Sequence, residues 1–250
     1  MTIKNKDYSG NIFKQIPHIE SYKTIDSTKD LAEKYIISQK YEEHFLIIAE
    51  NQTQGKGRKG NDWLSPQGGL WFSLVLNHIS QKKAFTLFIG FCVLNALNEL
   101  CTDQFKIKWP NDIYLQDKKV CGIICSQHSQ YNKTNIGIGI NTNIKNIPDT
   151  FPSYSGSIMN LLDIEIDNKI YLSKILENIF QSLPYFEKQG INQFFDEYKK
   201  FDYLIDKKIK IISDSEQHEG VYKGIDKDGS LLLIDFEGNV KTIYSGSVIV

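Results

Sequence analysis

The stretch Gln52-Thr53-Gln54-Gly55-Lys56-Gly57-Arg58-Lys59-Gly60-Asn61-Asp62-Trp63 carries three glycines, three cations and one tryptophan in twelve residues. It shows neither the 3.6-residue nor the two-residue apolar period, so it reads as a loop rather than a helix or strand. Apolar runs bound it, Phe45-Leu46-Ile47-Ile48-Ala49 before and Leu70-Trp71-Phe72-Ser73-Leu74-Val75-Leu76 after. Long loops between buried strands are usually functional or disordered. Glycines let backbone N–H groups converge on an anion, and Lys and Arg add charge, so one reading is a phosphate cradle. The other is a mobile, solvated hairpin connection.

Outward from this loop, the pattern predicts a mixed α+β chain. A strand is expected near Ser21–Thr24. A helix should follow Asp26-Ser27-Thr28, with Leu31, Ala32, Tyr35 and Ile36 on one face and Ser27 and Asp30 at capping-box spacing. Further strands are expected over 45–50, 70–77, 105–109, 113–115, 120–125 and 135–143. Helices are expected over 84–100, 170–186 and 191–201. After Ile205 come five short apolar segments, 208–212, 218–223, 231–235, 240–244 and 247–250, separated by turn signals such as Asp214-Ser215 and Glu237-Gly238-Asn239. That spacing predicts a small barrel. The expected units are 1–203, holding the candidate site, and 204–250.

With 41% hydrophobic and 24% charged residues over 250 positions, the composition is that of an ordinary globular chain. A net charge of −1 argues against a broad basic face for nucleic acid. No apolar run reaches the length of a membrane span. Residues 1–11 lack a signal-peptide core, and Cys92, Cys101, Cys121 and Cys125 show no zinc spacing. A cytoplasmic protein with reduced thiols is expected.

Five features could carry chemistry. The cationic loop is neither a Walker A loop nor a dinucleotide fingerprint, because no helix follows it. Lys108-Trp109-Pro110-Asn111-Asp112 puts an amide and a carboxylate at a strand end, for a ligand or only for an Asx turn. Lys119 beside Gly122-Ile123 either points into a pocket or is solvated. Gly137-Ile138-Gly139-Ile140-Asn141 leaves one strand face bare, so something can lie against the backbone. Trp63 could stack on an aromatic ligand or anchor the loop. No Ser or Cys nucleophile pairs with a base, so the chemistry expected is electrostatic.

Taken in order, these blocks resemble the biotin–protein ligases. The matching residues are Asp26-Ser27-Thr28, Gln52 with Gly55–Gly60 and Trp63, Lys108–Asp112, Lys119 with Gly122-Ile123, Gly137–Asn141, and Gly224-Ile225-Asp226 with Gly229 and Leu231–Leu233. The resemblance implies a mixed sheet packed with helices, similar to class II synthetases, and an SH3-like C-terminal barrel. It implies two half-reactions: biotin and ATP give biotinyl-5′-AMP, which a lysine of a biotin carboxyl carrier protein then attacks. By the same resemblance, Ser27, Thr28 and Gln52 would hydrogen-bond the ureido ring. Gly122, Gly137 and Gly139 would make room for biotin, with Gly55 and Ile123 in the same pocket. Arg58 and Lys119 would hold the carboxylate and α-phosphate, assisted by Lys56 and Lys59. Trp63 would cover the adenine, Asn111 and Asn141 would lie near the nucleotide, and Asp112 near Mg²⁺ or the incoming lysine. The loop would be disordered when empty and ordered over the adenylate.

Lys56 departs from the family's Arg, and Asn61 and Asp62 from its basic residues. The residues ahead of Thr24 are too few for a helix-turn-helix domain, so no repressor function is expected. The chain could be a monomer or a homodimer. A lipoate–protein ligase or octanoyltransferase of the same fold is the alternative, and an adaptor or nucleic-acid module a more distant one.

Overall fold

The computed structural model describes residues 2–4, 10–77, 83–102, 104–147, 150–213 and 216–250. The expected turn at Asp214-Ser215 lies outside these residues, as do parts of the 1–11 and 148–157 segments. An eight-stranded sheet runs in the order β1-β2-β3-β4-β8-β7-β6-β5. The strands are β1 Thr2–Lys4, β2 His18–Ile25, β3 Phe45–Gln52, β4 Leu70–Asn77, β5 Lys106–Lys108, β6 Asp112–Leu115, β7 Lys118–His128 and β8 Lys133–Ile140. The pair β2–β3 is parallel and its neighbours are antiparallel. A parallel pair needs a crossover, and α1 (Thr28–Ile37) supplies it. The Ser27 hydroxyl caps this helix by accepting from the Asp30 N–H.

Period-two alternation sorts the side chains onto two faces. One face carries Phe72, Leu74, Ile123, Ile136, Ile138 and Ile140, which join the main core with α2 (Phe85–Leu100) and α4 (Asn168–Gln189). On the opposite face, Phe45, Ile47 and Val75 pack under Ala32 and Ile36 of α1. Helix α1 covers only part of that face. Beyond it the register aligns one row, Lys108–Asp112–Gly122–Gly139–Trp71–Ala49, and beside it Ile47–Ser73–Gly137–Ile124. Glycine at 122, 137 and 139 leaves the centre of these rows without side chains, between Trp71 and Ser73 on one side and Asp112 and Ile124 on the other, and the sheet there becomes the floor of a cleft.

A second, SH3-like antiparallel sheet runs β12-β11-β10-β9-β13, from β9 Lys208–Ile212, β10 Gln217–Ile225, β11 Leu231–Ile234, β12 Val240–Ile243 and β13 Ser247–Ile249. It is fastened to the first. Ile107 N–H donates to Phe201 O (2.7 Å) and Tyr203 N–H to Ile107 O (2.9 Å), so the connector prolongs the β5 edge. The Trp109 indole N–H donates to Gly229 O at 2.9 Å. Tyr203 stacks on Tyr114, with ring centroids 4.6 Å apart.

Several elements differ from the sequence expectation. Strand β7 runs to His128 rather than 125, because Ser126, Gln127 and His128 keep pairing with β8 despite their polarity. The helix expected over 170–186 extends over 168–189, starting at an Asp167 cap that accepts from the N–H groups of Lys169 and Ile170. The short helix α3 (Ile158–Leu162) lies outside the expected helices; of the segment expected as one helix over 191–201, Phe195–Lys200 forms the short helix α5 and the part before it is a 3-10 turn leading into α5.

Candidate active site

The cleft over the glycine floor has a volume of about 810 Å³. Its polar end is at the start of α1. Thr28 donates both its N–H (2.8 Å) and its hydroxyl (3.1 Å) to Gln52 Oε1. Ser73 donates to Thr28 Oγ1 at 2.9 Å, and the Gln52 amide donates to Ser65 Oγ at 2.7 Å.

The glycine-rich stretch roofs the cleft. It is not without regular structure: Gln52 bridges Ser65 and Lys56 bridges Asp62 in antiparallel fashion, with a 3-10 turn at Arg58–Gly60. Gly57 N–H donates to Asn61 O and Trp63 N–H to Gly55 O. Backbone pairing replaces the absent apolar period. Gly55 is buried inside this hairpin, where a Cβ would collide with Trp63 O and Ser65 Oγ, so its small size serves the loop's own closure. Lys59 adopts φ 54° and Gly60 φ 79°. That left-handed turn sends Lys59 away from the cleft, into a second cavity between the loop and the barrel that Lys83 and Asp228 also line.

Trp63 lies on the floor. A Cβ on Gly122 would come within 2.9 Å of its ring, and one on Gly139 within 2.5 Å of its Nε1. A Cβ on Gly137 would find only ordinary contacts at 3.8 Å. The Lys119 ammonium sits 5.1 Å from the Trp63 ring centroid and 2.7 Å from Asp112 Oδ1. The residue expected near a metal and a residue expected at the phosphate are thus an ion pair. Lys119 is held on both sides by backbone, its N–H to Tyr154 O (2.7 Å) and its carbonyl accepting from Gly156 N–H (3.0 Å).

Lys108 flanks Asp112 from β5. Burial lowers its pKa; Asp112 opposes this, while Lys119 and Lys207 add to it. Its ammonium donates to the Tyr114 hydroxyl at 3.3 Å. Burial raises the Tyr114 pKa, and the Asp112 charge reinforces that.

Asn111 is a hub. Its amide donates to Ile123 O (3.0 Å) and its Oδ1 accepts from Arg58 Nη1 (2.9 Å). Ile123 N–H donates to Asn111 O. Both ends of the Asn111 amide are engaged by protein, and one of them holds Arg58. Ile123 enters the cleft only through its backbone, its side chain being fully buried in the main core. Arg58 Nη1 also reaches Gly246 O at 3.5 Å. Asn141 donates to Gly156 O (2.9 Å), while its Oδ1 is buried and without a hydrogen-bond partner among the described residues.

Ser27, Thr28, Gln52, Lys56, Arg58, Trp63, Asn111, Asp112, Lys119, Gly122, Ile123, Gly137, Gly139 and Asn141 therefore share one cleft; Gly55 and Lys59 do not line it. Ser65 and Ser73 in the hydrogen-bond chain, and Lys108 and the wall made by Ser247–Val250 in the cleft, lie outside the site residues expected from the sequence. The lysine was visible in its strand-end block; the others carry no local signal. Among the described residues there is no group of three His, Cys, Asp or Glu able to hold a metal. No helix among them is long and apolar enough to cross a membrane.

A half-bare mixed sheet, a cationic roof and an attached antiparallel sheet together frame the cleft. Residues 21–143 match the model of the biotin/lipoate A/B protein ligase family, and 204–250 that of the biotin protein ligase C-terminal domain. The chain belongs to this family. A biotin protein ligase from Aquifex aeolicus, in complex with biotin and ATP, superposes with a TM-score of 0.84 at 29% identity, covering 94% of this chain and 98% of that one. The bifunctional ligase/repressor BirA of Bacillus subtilis is 29% identical over 92% of this chain and 73% of its own length. The Escherichia coli BirA is 29% identical over 80% of this chain, and the match spans 64% of that relative's length.

Proposed function

We propose that this chain is an ATP-dependent biotin–protein ligase of the biotin–[acetyl-CoA-carboxylase] type. The observation that carries the reading is one glycine floor with the Thr28–Gln52 pair at one end and the Arg58, Lys119 and Asp112 charges at the other. A ligand with a hydrogen-bonding head, an apolar middle and a carboxylate tail fits that order. A relative from Paracoccus denitrificans, 24% identical over 75% of this chain, carries the name biotin–[acetyl-CoA-carboxylase] ligase.

In the first step a biotin carboxylate oxygen attacks the α-phosphorus of ATP, and the bond to pyrophosphate breaks. Two anions must approach, so Arg58 and Lys119, with Lys56, lower the barrier by holding charge where it develops. Trp63 lies across Gly122 and Gly139, so it must leave that part of the floor as biotin enters and then covers the adenine; Asn141 Oδ1, which has no hydrogen-bond partner among the described residues, accepts from the exocyclic amine. In the second step the amine of a carrier lysine attacks the acyl carbon and AMP leaves. The loop orders over the adenylate and keeps water from the mixed anhydride. Asp112 offers Mg²⁺ a single carboxylate, so phosphates and water would complete its coordination; the ion would neutralise phosphate charge. Residues 1–203 form the catalytic unit and 204–250 the barrel. The acceptor is a biotin carboxyl carrier domain of a carboxylase. The four free thiols suit a reducing cytoplasm.

The test is to incubate the protein with ATP, Mg²⁺ and either biotin or lipoate and detect the acyl-adenylate by mass. Biotinyl-AMP alone supports the reading; lipoyl-AMP alone overturns it in favour of the lipoate alternative.

A further inference from the structure

We infer that Ser73, which does not line the cleft, is a specificity-determining positioning residue: by donating to the Thr28 hydroxyl, whose proton Gln52 takes, it holds that oxygen in place with one lone pair left for a ligand bearing an N–H donor. The inference rests on the biotin reading above and deepens it.

The direction of each hydrogen bond follows from its neighbours. The Thr28 backbone N–H can only donate, and it meets Gln52 Oε1 at 2.8 Å. That fixes which way the Gln52 amide faces: turning it over would set N–H against N–H. The Gln52 nitrogen then donates to Ser65 Oγ at 2.7 Å, and Ser65 donates to Trp63 O at 3.0 Å. With Oε1 facing Thr28 at 3.1 Å, the Thr28 hydroxyl proton must point to it, since two acceptors at that distance would repel. Ser73 must therefore donate to Thr28 Oγ1, at 2.9 Å. The chain runs one way, from Ser73 through Thr28, Gln52 and Ser65 to the backbone of Trp63.

Thr28 Oγ1 has two lone pairs. Ser73 takes one, and the other faces the cleft, which Thr28 lines. The cleft thus meets an acceptor, not a donor. Ser73 is fully buried and Thr28 nearly so, so no water is at hand to replace a lost bond. A ureido ring brings two N–H groups to this end; a dithiolane or an alkyl chain brings none. A site built around a hydrogen bond rejects a ligand that leaves it unmade.

The test measures biotin-dependent adenylation by wild-type protein, Ser73→Ala and Ser73→Cys, with biotin and with each of its two ureido N-methyl isomers. Ser73→Ala should raise the biotin KM roughly five- to tenfold, the range of one neutral hydrogen bond. Its kcat, ATP KM and melting temperature should stay near wild type, and Ser73→Cys should fall between. For the isomer whose methyl replaces the N–H at Thr28, the loss caused by Ser73→Ala should shrink to within about twofold. An equal loss for biotin and both isomers, a fall in kcat alone, or no change would overturn the role of Ser73. Absence of any biotin-dependent adenylation by wild-type protein would instead remove the biotin reading itself, and this inference with it.

Discussion

Arg58 in the roof donates to the Asn111 side chain at the far end of the β5–β6 turn, at 2.9 Å, across 53 positions of sequence. The same guanidinium nitrogen reaches Gly246 O at the edge of the second sheet. One cation therefore joins the loop, the strand end and the barrel, and adds a side-chain tie to the roof that Trp63 already packs against the floor.

Arg58→Gly should open that closure. Adenylate formed in the cleft should escape, and labelling of bystander lysines should rise at least about tenfold, the scale of one charge-assisted contact in a water-excluded site. The measurement is biotin incorporated into an inert protein lacking any acceptor domain. Bystander labelling at wild-type level would mean that Arg58 does not retain the intermediate.

Gly139→Ala tests the floor. The added methyl meets Trp63 Nε1 at 2.5 Å, a distance at which something must move. Because Trp63 belongs to the loop, the side chain should give way and the sheet should not. The expected result is a biotin KM raised on the order of tenfold or more, a redshifted Trp63 emission and a melting temperature within a few degrees of wild type. Gly137→Ala, with only 3.8 Å contacts, should leave the Trp63 emission as it was.

Asp202 gives the fold a pH dependence. Burial raises its pKa from 3.8 to about 6, against the Tyr222 hydroxyl and the Leu204 N–H that hydrogen-bond it. A carboxyl raised on folding stabilises the native state below its unfolded pKa, and that contribution is lost as pH rises through the folded value. Between about pH 4 and 6 the protein should lose on the order of 3 kcal/mol from this group. The Glu20 and Asp228 carboxylates, held low at about 2, act in the opposite sense and at lower pH. Denaturant titrations of wild type and Asp202→Asn across pH 4–7 should diverge by that slope; parallel curves would assign the dependence elsewhere.

Much of the floor was legible because glycine against isoleucine in Gly137–Asn141 states directly which strand face is empty. The Ser27 cap was legible for a local reason, a hydroxyl three residues ahead of the N–H it serves. The loop's pairing was not, since Lys56 and Asp62 join through backbone atoms that no side-chain period records. The direction of Lys59 follows from a positive φ on a non-glycine residue, which composition does not encode. Ser73 sits in an apolar run and reads as an ordinary strand position until β4 is aligned with β8 and α1. The wall made by Ser247–Val250 depends on contacts nearly two hundred positions apart.

The charged end of the cleft should activate biotin through its carboxylate. The most direct measurement is exchange of labelled pyrophosphate into ATP with no carrier protein present, for wild type and for Lys119→Ala. Wild-type exchange should require biotin and should not be supported by lipoate. Exchange should fall roughly a hundredfold or more in Lys119→Ala at an unchanged melting temperature. Exchange that does not depend on biotin, or that persists undiminished without Lys119, would contradict activation of biotin at that end.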